Sequence, residues 1–176
     1  SPYNDGQIIA GQGTIGLEIL AELTAKTTRN WIVPAGGGGL VCGIGTVLKA
    51  QEHRPRLIAA QSEASPFLHA IFYRGTQDGV VELDSLADGL AGPVETGSVT
   101  IPMVKHYVDA IVLVREEAIA EAITYAWQRY QERIEGSAAV SLAVILSGGV
   151  VERPAVLVIT GGNIQAEVHA DIIKRG

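Results

Sequence analysis

Trp31-Ile32-Val33-Pro34 is a short apolar run that leads through Ala35 into four consecutive glycines, Gly36 to Gly39. Leu40 to Gln51 then reads as a helix, and Arg56-Leu57-Ile58-Ala59-Ala60 as a second buried strand. Strand, glycine turn, helix and strand in that order form one βαβ unit. Its two strands must run parallel, because only a long crossover can return the chain to the same end of the sheet. A parallel sheet in turn needs helices on both faces.

The rest of the chain keeps to this plan. Gly13 to Lys26 carries Ile15, Ile19, Leu20 and Leu23 at helical spacing, with Glu18 and Glu22 on another side. Ser65-Pro66 opens a helix that runs through Tyr73, and the glycine-punctuated stretch from Gly75 to Thr100 reads as loop. Ala110 to Val114 is a third strand, Glu116 to Ile134 the clearest helix, and Ala138 to Leu146 a helix buried on most sides. Ala155 to Thr160 is a fourth strand and Ile164 to Lys174 a last helix; no element is assigned between Thr100 and Ala110. The expected fold is α/β: an open, mostly parallel sheet with helices on both faces, in a single domain spanning residues 1–176.

Composition narrows the function classes. Charge amounts to 13 Lys+Arg against 19 Asp+Glu, a net −6, with no basic cluster. That provides no electrostatic footprint for nucleic acid. No apolar run reaches the roughly 20 residues of a bilayer span, and the N-terminus has neither the basic nor the apolar region of a secretory signal. The lone cysteine, Cys42, lies among apolar residues and glycines and is read as a core residue in a cytoplasmic protein. The chain begins without methionine, which suits a processed product, a trimmed chain or a piece of something longer.

Gly36 to Gly39 join a strand to a helix, where free backbone N–H groups and the positive end of the helix dipole favour an anion. One or two glycines would serve a merely tight turn, so a phosphate cradle is the preferred reading. Gly11-Gln12-Gly13-Thr14-Ile15-Gly16 matches the dinucleotide pattern, but no long strand precedes it and no acidic residue follows about 20 positions on. Its glycines are read as allowing a tight start to the first helix. Thr160-Gly161-Gly162-Asn163 follows the last strand, at the edge where ligands bind open parallel sheets. It suits equally a ligand-facing hydroxyl on Thr160 and a helix cap on Asn163. Asp88 reads as a turn residue and Glu135 as a solvated helix end, unless a ligand brings them together. His53, His69, His106 and His169 show no metal-ligand spacing and are assigned to surface or helix-end positions.

In this order, Ile9-Ala10-Gly11-Gln12-Gly13-Thr14-Ile15, Val33-Pro34-Ala35-Gly36-Gly37-Gly38-Gly39-Leu40, Ala87-Asp88-Gly89, Glu135-Gly136-Ser137 and Thr160-Gly161-Gly162-Asn163 form a specific set. The chain resembles the threonine/serine dehydratase branch of the fold-type II pyridoxal-phosphate enzymes, which includes serine racemase. The resemblance implies pyridoxal 5'-phosphate as cofactor, with Gly36, Gly37, Gly38, Gly39 and Leu40 around its phosphate. It further implies Gly89 near the ring, Glu135 on the ring-nitrogen side and the Thr160 hydroxyl at the pyridine nitrogen. The family's Schiff-base lysine stands in a Ser-Phe-Lys context that none of Lys26, Lys49, Lys105 and Lys174 shares, so no catalytic residue is assigned. Gln61 and Phe67 stand where serine racemases place a divalent-cation glutamate and aspartate, so no metal is expected.

The resemblance thus implies a truncated larger domain, the C-terminal half of a threonine/serine dehydratase. The parent reaction would be β-elimination of L-threonine or L-serine to a 2-oxo acid and ammonia, and the isolated chain would be inactive. Its partners would be a small-molecule amino acid and further copies of itself. The alternative is a stand-alone, non-catalytic module of the same fold that binds a small anion or a partner protein.

Overall fold

In β1 (Asn30–Pro34) successive side chains leave on opposite sides: Trp31 and Val33 enter one hydrophobic cluster and Ile32 another. The alternation repeats in β2 (Arg56–Ser62), where Leu57 and Ala59 join the first cluster and Ile58 and Ala60 the second. A sheet buried on both faces is therefore written into the pleat itself. The first cluster is closed by α2 (Gly39–Lys49), α3 (Phe67–Arg74) and α4 (Thr100–Tyr107), the second by α5 (Glu116–Tyr130) and α6 (Gly136–Leu146). The computed structural model describes residues 1–23, 27–149 and 152–175.

With β3 (Ala110–Val114) and β4 (Ala155–Leu157) the sheet has the order β3-β2-β1-β4, every pair parallel. Asn30 pairs with Arg56 on one side and with Ala155 on the other, so β1 is a central strand. From β1 the chain winds outward through β2 to β3, then returns over the opposite face to place β4 beside β1. The fold is the expected α/β architecture.

Several local expectations change. The first helix, α1 (Gly6–Glu22), starts seven residues before Gly13 because Asp5 caps it: Asp5 Oδ1 accepts from Gln7 N–H and Ile8 N–H at 2.8 and 3.2 Å. Its expected end at Lys26 lies outside the described residues. Gly13 and Gly16 are inside this helix and not at its start. A Cβ on Gly13 would be 3.1 Å from the Gly43 carbonyl, and one on Gly16 3.2 Å from Val47 Cβ. The glycines of the dinucleotide-like pattern are there so that α1 and α2 can cross closely.

Helix α4 occupies the stretch to which the sequence assigns no element. Pro102 is its third residue, a position that needs no intrahelical donor, and only Thr100 and Val104 are buried. Ile101, Met103, Val104 and Tyr107 all pack on the first cluster, but eight residues hold only about two turns, too few for the apolar spacing to repeat. Strand β4 stops at Leu157, although Val158 N–H still donates to the Ile32 carbonyl at 3.0 Å. Helix α5 ends at Tyr130, four residues short of Ile134, where Gln131 turns left-handed with φ 57°.

His169, expected at the surface or a helix end, stands in the first turn of α7 (Ala166–Arg175) but is buried there, with its ring edge-on to Trp127 at 5.3 Å between centroids. Burial, with a smaller effect from Arg133, lowers its pKa below the usual histidine value, and burial with Arg74 lowers that of His69. Unfolding releases both to about 6.5, so the unfolded chain takes up more protons once the pH falls below that value. The stability they contribute is complete above about pH 6.5 and is lost as the pH drops toward their folded pKa values. Thermal melts at about pH 7.5 and about pH 5 should show a lower transition in acid, and His169→Gln should shrink the difference. An unchanged difference in the variant would locate the proton uptake elsewhere.

Candidate functional site

An open parallel sheet binds ligands where strand order reverses, outside the carboxyl ends of the strands on either side of the switch. Here that place lies between β1 and β4. Gly36 to Gly39 follow β1, and Thr160 to Asn163 follow β4. Parallel pairing puts both segments at the same edge.

The glycine turn is held on every side. A Cβ on Gly36 would be 3.0 Å from Leu90 Cα, and one on Gly38 3.1 Å from Val104 Cγ2 and 3.2 Å from Thr100 Cβ. One on Gly37 would run into the Tyr3 ring, and one on Gly39 would come within 2.8 Å of Tyr3 Cβ. Each glycine is thus required by protein packing, so the glycine count alone does not demand a phosphate. The support for an anion is the backbone: among the described residues none accepts from the N–H of Gly36, Gly37, Gly38, Gly39 or Leu40. Five successive free donors stand at the positive end of α2, with Gly38 left-handed at φ 94°, a backbone arrangement that favours an anion.

Tyr3, which no sequence pattern singled out, is fixed over this turn by a clasp. Tyr3 Oη accepts from Glu95 N–H at 2.8 Å. Ser1 Oγ and Asn4 Nδ2 donate to the two Glu95 carboxylate oxygens at 2.6 and 2.8 Å. Those hydrogen bonds, the Ser1 one first, hold the Glu95 carboxyl below its usual pKa.

The other candidates form a second cluster that adjoins the turn through Leu90. The short 3₁₀ turn Asp88–Leu90 carries Gly89 against α6, where Ser137 Oγ leaves a Gly89 Cβ only 2.8 Å. Asp88 is exposed and its carboxylate accepts from Gly89 N–H, a turn-forming role. Glu135 is not a solvated end: its N–H donates to the Gly161 carbonyl at 3.0 Å and its Oε2 accepts from Asn163 N–H at 2.9 Å. This carboxylate ties the start of α6 to the segment after β4. Asn163 thus spends its N–H on Glu135, three residues before α7 begins. Thr160 is exposed and, with Gly161 and Gly162, lines one end of a 1130 Å³ groove walled by Leu142, Ile145 and Leu157.

Among the described lysines, Lys49, Lys105 and Lys174 stand in the last turns of α2, α4 and α7; Lys26 lies outside the described residues. Lys174 reaches Asp171 at 3.6 Å. Cys42 is buried, and burial pushes its thiol up to about 12, so it is a core side chain and no nucleophile. The described residues contain no cluster of three metal-ligating side chains. Gln61 is buried, with its Oε1 accepting from His69 N–H at 3.0 Å.

Residues 1–161 match the family described as pyridoxal-phosphate dependent enzyme. The chain belongs to that family. It is 39% identical over 176 residues to the L-threonine ammonia-lyase of Thermotoga maritima, covering 99% of this chain and 43% of that protein. The crystal structure of a T.th. threonine deaminase superposes with a TM-score of 0.82 at 31% identity, over 93% of this chain and 61% of that one. Maize serine racemase gives 0.85 at 26% identity, over 100% of this chain and 56% of that one. The chain spans about half the length of the curated relatives it matches.

The unpartnered amides of Gly36 to Leu40 are the kind of donor set a phosphate takes, so the residues present suit the phosphate end of pyridoxal phosphate, the family's cofactor. Near Gly89, Ser137 Oγ is buried without a partner among the described residues, a second polar atom that a bound group could satisfy. No helix among the described residues is long and apolar enough to cross a membrane.

Proposed function

We propose that this chain is the cofactor-phosphate-binding half of a threonine/serine dehydratase, in which L-threonine or L-serine loses water by β-elimination to give a 2-oxo acid and ammonia. The observation that carries this reading is the run of unpartnered amides from Gly36 to Leu40, at the switch point of a sheet belonging to a pyridoxal-phosphate family. When bound, pyridoxal phosphate supplies an electron sink for the carbon that loses its proton.

The chain's own residues orient and exclude. The backbone N–H groups of Gly36, Gly37, Gly38, Gly39 and Leu40 would hold the phosphate. Gly89, whose missing side chain makes room for Ser137 Oγ, would lie near the ring. Glu135 holds the 160–163 segment, and Thr160 would offer a neutral hydroxyl to the pyridine nitrogen, a partner that does not require that nitrogen to be protonated and so would suit elimination. A lysine is needed as base for the substrate α-proton, and no described lysine is at this edge. The groove beside β4, with exposed Tyr130 and Ile159 near it, would receive the complementary half. The isolated chain would cover the same apolar surface by self-association, in a cytoplasmic setting.

The test is 2-oxobutyrate release from L-threonine with pyridoxal phosphate present. The 176-residue chain alone should give none. Co-expressed with the part of the Thermotoga maritima enzyme outside the matched stretch, it should gain turnover that Gly38→Val abolishes. Turnover by the isolated chain would refute the half-enzyme reading. An associated but inactive pair would favour the non-catalytic anion-binding module.

A further inference from the structure

The direction in which the glycine turn's amides point is decided by a side chain outside the turn. Thr100, the first residue of α4, is completely buried, and its Oγ1–H donates to the Gly37 carbonyl at 2.6 Å. A hydroxyl has one proton, so the 2.8 Å contact between Ser98 Oγ and Thr100 Oγ1 has Ser98 as donor. Ser98 is itself buried and its Oγ accepts from Thr100 N–H at 3.3 Å, so its hydroxyl is held beside Thr100. The order Ser98 to Thr100 to Gly37 is therefore set by the number of protons available.

A trans peptide is planar, with its C=O and N–H on opposite sides. Fixing the Gly37 oxygen on Thr100 points the Gly38 N–H away from α4, and among the described residues that N–H meets no acceptor. Glycine on both sides of a peptide leaves it free to flip. In the flipped state the Gly37 oxygen, a partial negative charge, would face the anion in place of the Gly38 donor. We infer that Thr100 is a positioning residue for phosphate binding: by holding the Gly37 carbonyl it keeps the Gly38 N–H turned toward the bound anion. The inference rests on the reading of Gly36 to Leu40 as a phosphate cradle.

Inorganic phosphate titrated into the ¹⁵N-labelled 176-residue chain tests it, with the Gly38 amide resonance and the dissociation constant as readouts. Thr100→Ser keeps the hydroxyl and should shift Gly38 and bind as the wild type does. Thr100→Val keeps the shape and loses the donor; it should bind about tenfold more weakly, with little Gly38 response. If Thr100→Val does not fold, Ser98→Ala is the deciding variant, with a loss of about threefold expected. Wild-type affinity in folded Thr100→Val, or in Ser98→Ala where the valine variant does not fold, would overturn the role of Thr100 and leave the cradle standing. A wild type that binds neither inorganic phosphate nor pyridoxal phosphate would overturn the cradle, and this inference with it.

Discussion

Gly136→Ala is expected to destabilise the chain by about 4 kcal/mol and to lower its melting temperature by about 10 °C. Gly136 opens α6, and a Cβ there would land on the Leu86 carbonyl and come within 3.0 Å of Ala87 N. Both obstacles are backbone, so no rotamer change relieves the clash. Separating them would also pull Ala87, buried in the second hydrophobic cluster, out of its packing. Gly11→Ala is the control: Gly11 is inside α1 with nothing within 4 Å of its Cβ position, and alanine there should stabilise by about 0.5–1 kcal/mol. Thermal melts of the two variants measure the contrast. A Gly136→Ala protein as stable as the wild type would mean that the 86–87 segment is not held against α6 as described.

Gly38→Val is expected to cost at least tenfold in phosphate-dependent affinity for pyridoxal phosphate, about 1.4 kcal/mol or more. At φ 94° an L-residue is strained by about 1–2 kcal/mol, and the new side chain would press on Val104 Cγ2 and Thr100 Cβ. Relief of that strain rotates the peptides on either side of residue 38 and redirects the free amides of the turn. Gly92→Val isolates the strain from the site, because Gly92 has φ 99° but open space around it. That variant should lose stability and keep its affinity. Comparing pyridoxal phosphate with pyridoxal in an equilibrium titration reads the phosphate contribution directly. Equal affinities of wild type and Gly38→Val for pyridoxal phosphate would remove the turn from the binding site.

Elements whose signal is local are legible in the chain alone. Trp31 to Pro34 and Arg56 to Ala60 are apolar runs cut by turn residues, and Glu116 to Tyr130 repeats its apolar positions at the helical period with carboxylates at its positive end. A glycine run between strand and helix likewise presents free amides wherever the fold places it. The family motifs carried the rest of the candidate site.

What those glycines touch, and which segments meet, follows from packing between distant parts of the chain. Gly13 and Gly16 form a helix crossing because their neighbours, Gly43 and Val47, belong to another helix. Four glycines are necessary because Tyr3, Leu90, Thr100 and Val104 converge on one turn from separate parts of the chain. Asn30 pairs with Ala155 across most of the sequence, and that register brings Thr160 and Glu135 to the edge that Gly36 to Gly39 occupy. Such contacts depend on how helices and strands pack after they form, and hydrophobic period and turn chemistry report only the residues a few positions away.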